Sequence, residues 1–310
     1  MWISNPFADP LLLPAFKVVG SILGIALVLL LIVERRRLRG LHRSELFKRL
    51  FTWTLIAPVY TLAVLSGYIP VLLFVSLLVF QAIREYARLV DLPPPYRWVL
   101  LGMGLLAAPA ALHSPLAFYA LPALLLVVAT LQPLMFQSAK VGVRDLAFAA
   151  FGWGYIAWLL GHFMLVYLYL NQGPGLLLAL GLAVALSDVG AFTCGKSLGR
   201  HKLAPRLSPN KTWEGLAGNL LGGALGIVLM VRFVLPAALP IFLVILLPVV
   251  VAVGAGWGDL LESAIKREFQ VKDAGTLLPG MGGLLDRIDS LIIVIPLAYY
   301  LVKFAGDGSL

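Results

Sequence analysis

The residues with the most chemistry to offer lie in one run, Gly258 to Ser290, GDLLESAIKREFQVKDAGTLLPGMGGLLDRIDS. It holds Asp259, Glu262, Glu268, Asp273, Asp286 and Asp289, six of the chain's fifteen acidic residues. Lys266, Arg267, Lys272 and Arg287 are interleaved with them, and Gly280, Gly282 and Gly283 precede the last acidic pair. If residues 258–269 are helical, Asp259, Glu262 or Ser263, and Lys266 share one face. Asp286 and Asp289, three apart, share another if a helix starts near Leu284. Two converging carboxylate faces suit Mg²⁺, which takes oxygen ligands and completes its shell with waters and substrate phosphates. The glycine turn leads into a helix N-terminus, where backbone N–H groups can reach a phosphate. Bases beside metal-binding carboxylates are the apparatus of phosphoryl or nucleotidyl transfer, in which the protein positions groups and neutralises charge.

A second polar segment, Ser187 to Gly215, reads SDVGAFTCGKSLGRHKLAPRLSPNKTWEG. Asp188 ends an apolar helix, Lys196, Arg200, Lys202, Arg206 and Lys211 follow, and Glu214 opens the next helix. Thr212 reads as that helix's cap, and Glu214 in the first turn complements its dipole. Five bases in sixteen positions can hold anionic lipid headgroups nonspecifically or grip a polyphosphate, and charge alone leaves both readings open. The plain alternative for both segments is a solvated network of ion pairs. Eight acids and nine bases shared by two loops on one membrane face argue against it.

The elements that must position these groups are transmembrane helices. The 310-residue chain is 61% hydrophobic and 13% charged, against about 25% charged in soluble domains. The fold class is therefore all-α, a polytopic integral membrane protein with about 9–10 spans and one membrane domain over 1–310. Candidate spans of adequate length are 11–33, 51–66, 69–84, 98–112, 116–135, 146–169, 175–192, 215–235, 240–256 and 288–305. Residues 1–180 read mainly as scaffold helices, and 181–310 as a catalytic region with two cytoplasmic loops. No cleaved signal peptide is expected, since no bases precede the first span.

Charge orients the chain. Residues 34–49 carry seven Lys/Arg against two acids and read as cytoplasmic. Alternating from there, the loops at 84–97, 136–145, 193–214 and 257–287 are also cytoplasmic, and they hold nearly all the remaining bases. The opposite connections, Ser66–Pro70, Ala111–Ser114, Asn171–Pro174 and Pro236–Pro240, contain no Lys or Arg. The net charge of +9 thus implies a membrane surface and no nucleic acid. A lone cysteine, Cys194, excludes an internal disulfide, and His42, His113, His162 and His201 lack metal-ligand spacing. No internal repeat supports a transporter, whose charges would also spread over several midmembrane helices. Glu85 and Asp91, among Arg84, Arg88 and Arg97, read as partners in loop ion pairs. Gly218, Gly222 and Gly223 allow a homodimer, but packing against neighbouring helices of the same subunit is the preferred reading.

The two polar segments resemble the CDP-diacylglycerol synthase (phosphatidate cytidylyltransferase) family. The resemblance is carried by Ser263, Lys266-Arg267, Lys272-Asp273, Pro279, Gly282-Gly283 and Asp286-Arg287-Ile288-Asp289 at matching spacing. Upstream it includes Ser187-Asp188, Ser208-Pro209-Asn210-Lys211-Thr212, Glu214-Gly215 and Gly258-Asp259. It is specific over 187–290 and only general before that. Met281 stands where the family has histidine before Gly-Gly, marking a divergent member.

The resemblance implies a nucleotidyltransferase that joins CTP to phosphatidate, giving CDP-diacylglycerol and pyrophosphate. Asp259, Asp286 and Asp289 are then the ligands of Mg²⁺, with a second cation allowed, and Lys266 and Arg267 join them as catalytic residues. Lys272 and Arg287 hold phosphates, Ser208, Asn210 and Lys211 cover the nucleotide or lipid headgroup, and Asp188, Ser263, Asp273, Gly282 and Gly283 complete the substrate-binding set. The implied location is a bacterial inner (plasma) membrane, with membrane lipids around it and the site facing the cytoplasm. The competing expectations are a CTP-dependent enzyme acting on another lipid alcohol or lipid phosphate, of the polyprenol or phytol kinase or CDP-archaeol synthase kind, and a catalytically silent relative.

Overall fold

The computed structural model describes residues 2–35, 44–136, 143–235, 239–277 and 282–306. The expected spans form helices α1 (Leu12–Val33), α2 (Glu45–Leu65), α3 (Tyr68–Leu89), α4 (Pro94–Leu105), α5 (Ala107–His113) and α6 (Pro115–Phe136). There follow α7 (Val143–Gly152), a π-helical turn (Trp153–Trp158), α8 (Leu159–Tyr169), α9 (Gly173–Leu198), α10 (Trp213–Phe233), α11 (Ile241–Glu268) and α12 (Leu285–Gly306). Among the described residues, eight helices are long and apolar enough to cross a membrane, counting α4–α5 and α7–α8 as one each. The helix α2, which opens on Glu45, Lys48 and Arg49, falls outside that set.

The expected boundaries were short at the polar ends. Helix α11 runs 28 residues from Ile241 to Glu268, so the acidic face of 259–266 continues the apolar span instead of belonging to a loop. Helix α9 likewise continues to Leu198. In between lies a two-stranded antiparallel hairpin, β1 (Lys202–Ala204) and β2 (Ser208–Thr212), which nothing in the apolar pattern announced.

Small residues let the C-terminal helices approach closely. A Cβ on Gly218 would strike the Gly190 carbonyl, and one on Gly222 the Leu186 carbonyl, so α9 and α10 meet backbone to backbone. Gly223 faces Val251 of α11. The glycine stripe therefore packs within the subunit, as preferred from sequence. Gly258 on α11 abuts the Asp289 carbonyl on α12, which brings the acidic faces of these two helices together. The buried core joins α3, α8, α9, α11 and α12 through side chains such as Val75, Phe163, Leu177, Leu247 and Ile292.

Described residues from several of the loops grouped by charge parity lie together in space. Arg49, the hairpin, the end of α11 and the start of α12 surround one cavity, and Glu85 at the end of α3 touches the start of α12. At the other pole the Ser4 N–H donates to the Ser66 carbonyl at 2.8 Å, and the Ile69 N–H donates to the Trp2 carbonyl at 3.0 Å.

Candidate active site

Between α9, α10, α11, α12 and the hairpin lies a cavity of about 360 Å³. Five carboxylates line it: Asp188, Asp259, Glu262, Asp286 and Asp289. Four cations do so as well: Arg49, Lys211, Lys266 and Arg287. Each element contributes for a local reason. Thr212 ends β2 in extended conformation and caps α10, its Oγ1 accepting from the Gly215 N–H at 3.0 Å. That cap turns the chain sharply after Lys211 and leaves this side chain aimed inward, where its Nζ donates to the Asp259 carboxylate. Burial pushes the Lys211 ammonium below its ordinary range, a shift that Asp289 and Asp188 oppose and Lys266 reinforces.

Lys266, one turn after Glu262 on α11, bridges the two acidic faces. Its Nζ lies 2.9 Å from Glu262 Oε2 and 2.8 Å from Asp286 Oδ1. Asp286 Oδ2 accepts from the Ala274 and Gly283 N–H groups at 2.9 and 2.8 Å. Asp286 thus ties the loop after α11 to the first turn of α12. Asp289 Oδ1 accepts from the Ser290 N–H at 2.8 Å. Asp286 and Asp289 are each only 6% exposed, so both face the cavity from within the bundle.

Of the residues singled out from sequence, Asp188, Ser208, Asn210, Lys211, Asp259, Lys266, Asp286, Arg287 and Asp289 meet around the cavity. Ser263 lies just behind, its Oγ donating to Asp259 Oδ1 at 3.5 Å. Arg267 is exposed in the last turn of α11, Lys272 and Asp273 are exposed beyond its end, and all three lie outside the lining. Gly282, at φ +84°, holds the turn beside Asp286 and Asp273, a conformation that favours glycine. Pro279, Gly280 and Met281 lie outside the described residues.

Two expectations need correction. The start of α12 is not a free phosphate cradle, because the Gly283 N–H goes to Asp286 and those of Leu284 and Leu285 go to Glu85. Glu85, expected in a loop ion pair, is buried and forms none of the described ion pairs, while Asp91 does pair with Arg97 at 3.6 Å. The reason is packing: Glu85 falls on the apolar stripe of α3 with Val75, Val79, Ala82 and Tyr86, opposite its charged neighbours. That stripe was the available signal. Arg49 and Asn219 also line the cavity and were missed. Asn219 sits mid-helix among apolar residues, and no local pattern sets it apart.

The donor set suits a hard cation. Glu262 Oε1 and Asn219 Oδ1 are buried without hydrogen-bond partners, which leaves oxygen acceptors to be satisfied. Among the described residues no three Asp, Glu, His or Cys side chains form a ready ligand group. Lys211 and Lys266 instead lie against the carboxylates and balance them.

The fold and site define a helical membrane bundle with a mixed-charge cavity among its C-terminal helices. The chain belongs to the Cytidylyltransferase family, whose family model matches residues 47–305. It is 34% identical over 271 residues to the phosphatidate cytidylyltransferase of Bacillus subtilis, covering 83% of this chain and 98% of that one. With the phosphatidate cytidylyltransferase of Pseudomonas aeruginosa it shares 40% identity over 247 residues, 76% of this chain and 89% of the other. The uncharacterized protein YnbB of Escherichia coli is 31% identical over 275 residues, 84% of this chain and 88% of its own.

Proposed function

We propose that the protein is a Mg²⁺-dependent phosphatidate cytidylyltransferase working at the cytoplasmic face of the membrane. The observation that carries this reading is the meeting of both polar segments on one cavity, which five carboxylates and four cations line. An ionised lipid phosphate oxygen attacks the α-phosphorus of CTP, and the bond to the β-phosphate oxygen breaks. Pyrophosphate leaves, and CDP-diacylglycerol remains in the membrane. No protein nucleophile is needed, because the attacking oxygen is already charged.

The protein's task is then positioning and charge neutralisation. Asp259, Asp286 and Asp289 would hold Mg²⁺ together with nucleotide phosphates, and the cation would supply Lewis-acid charge neutralisation. Lys211 and Lys266 would turn from their carboxylates to the phosphates. Arg287 would hold the triphosphate from the first turn of α12. The cytoplasmic assignment rests on the basic loops at 34–49, 193–214 and 257–287, and Arg49, Lys211 and Arg287 at their described ends line the cavity.

The test is conversion of α-labelled CTP to lipid-extractable label by purified protein with phosphatidate and Mg²⁺. Wild type should form product, chelation should stop it, and Asp286→Asn should lose it. Product with another phosphorylated lipid but none with phosphatidate would overturn the acceptor assignment. No product with any phosphorylated lipid would overturn the reaction.

A further inference from the structure

The start of α12, which carries Asp286 and Asp289, has a capping problem that its own sequence does not solve. The first N–H groups of a helix lack intrahelical acceptors, and a buried helix end must find them elsewhere. The residues leading in, Gly282-Gly283-Leu284, offer no Ser, Thr, Asp or Asn side chain. The acceptors come from 199 and 200 residues away. Glu85 Oε1 accepts from the Leu284 N–H at 3.0 Å, and Oε2 accepts from the Leu285 N–H at 2.8 Å. Gln81 Nε2, one turn earlier on α3, donates to Glu85 Oε1 at 2.8 Å and holds the carboxylate in place.

The fit around this carboxylate is tight. Glu85 is 3% exposed. A Cβ on Gly283 would come within 2.5 Å of Glu85 Oε2, and one on Gly275 within 2.9 Å of Oε1. Both glycines therefore exist as surfaces for this side chain. Buried and flanked by glycines, Glu85 lies among none of the cavity-lining residues, so it acts through α12.

We infer that Glu85 is a positioning residue for nucleotidyl transfer, a distal cap from the scaffold half that holds the first turn of α12 and with it Asp286 at the cavity. The physical link is competition for acceptors. Asp286 already takes the Gly283 N–H on this helix end while its other oxygen holds Lys266. With Glu85 absent, the Leu284 and Leu285 N–H groups have Asp286 as the nearest carboxylate on their own turn. Satisfying them draws Asp286 away from Lys266 and turns the first residues of α12. A carboxylate suits the post because it accepts at both oxygens and complements the helix dipole. Glutamine there would face one N–H with its own NH₂.

The inference rests on the proposed reaction for its catalytic readout, but the cap itself has an independent one. Peptide-resolved hydrogen exchange on purified wild type and Glu85→Gln reads the cap without substrate. Exchange should speed up over 282–290 in the variant and stay unchanged in α9 and α10. In the CTP and phosphatidate assay, Glu85→Gln should lower kcat about 100-fold, the scale of an ångström-level displacement, with KM for CTP within about threefold. Asp91→Ala, which breaks the exposed pair with Arg97, should change neither readout. If Glu85→Gln fails to accumulate as folded protein, Glu85→Asp carries the same comparison. Unchanged exchange over 282–290 would overturn the cap. Altered exchange with unchanged kcat, or a loss shared equally by kcat and thermal stability, would overturn the positioning role. A wild type inactive on phosphatidate would count against the proposed reaction and leave the exchange result to decide the cap.

Discussion

Replacing Lys266 by methionine tests the charge balance of the site most directly. Methionine matches the unbranched stem of lysine, with sulfur in place of Cδ, and lacks the ammonium. The Lys266 side chain is 15% exposed and its ammonium faces Glu262 and Asp286, whose side chains are 2% and 3% exposed. Removing one member of a buried ion pair costs about 3–5 kcal/mol, because the partner charge stays desolvated. The two partners do not suffer equally. Asp286 retains hydrogen bonds from the Ala274 and Gly283 N–H groups. Glu262 loses the Lys266 contact at Oε2, its Oε1 is already unpartnered, and its remaining side-chain neighbour is the like-charged Asp286. The cost therefore concentrates on Glu262, and the partial exposure of the Lys266 side chain keeps it near the lower end, about 3 kcal/mol. At roughly 2 °C per kcal/mol for a chain of this size, the midpoint should fall by about 6 °C. The assay is thermal unfolding in detergent micelles, with SDS titration as a second probe. A second substitution, Glu262→Gln, removes the stranded charge and should recover at least half the loss, a coupling of about 2 kcal/mol. A Lys266→Met protein within about 1 kcal/mol of wild type, unimproved by Glu262→Gln, would refute the reasoning.

Other outcomes follow from the same geometry. Asp259→Asn should lower cytidylyl transfer by about 100-fold or more, the scale of losing one preorganised electrostatic group, and should weaken Mn²⁺ binding followed by electron paramagnetic resonance. Thr212→Ala removes the cap on the Gly215 N–H and should cost about 1 kcal/mol in SDS titration. It should also raise KM for CTP, because the turn that aims Lys211 loosens. Gly222→Val forces a branched side chain onto the Leu186 carbonyl and should destabilise by about 1–3 kcal/mol or more, read as a lower thermal midpoint with no change in oligomeric mass.

Sequence and tertiary structure divided the information along physical lines. Hydropathy located α1 to α12, because a spanning segment must be apolar along its length whatever it packs against, although among the described residues α2 and α6 fall short of a full apolar span. Alternating basic loops forecast which connections share a pole, and Arg49, the hairpin and the start of α12 do converge there. The carboxylates and lysines of the site were legible because their types are costly near a membrane and their helical spacing puts them on common faces. Hydropathy alone placed the ends of α9 and α11 too early, since a helix continues past the apolar core wherever its polar residues face a lined cavity.

What the linear pattern did not contain is who satisfies whom. Glu85 looked like a loop residue because its neighbours in sequence are arginines. Only packing reveals that it lies on the buried stripe of α3 and that the uncapped start of α12 needs a distant acceptor. The glycine turn looked like a phosphate cradle because free N–H groups at a helix start attract anions. The tertiary structure gives those groups to Glu85 and Asp286, since a buried donor takes whichever acceptor the fold brings within reach. Residue types and spacing thus determined the chemistry that this protein carries, and the approach of α3, α11 and α12 decided which carboxylates face the cavity and which one holds the helix that presents them.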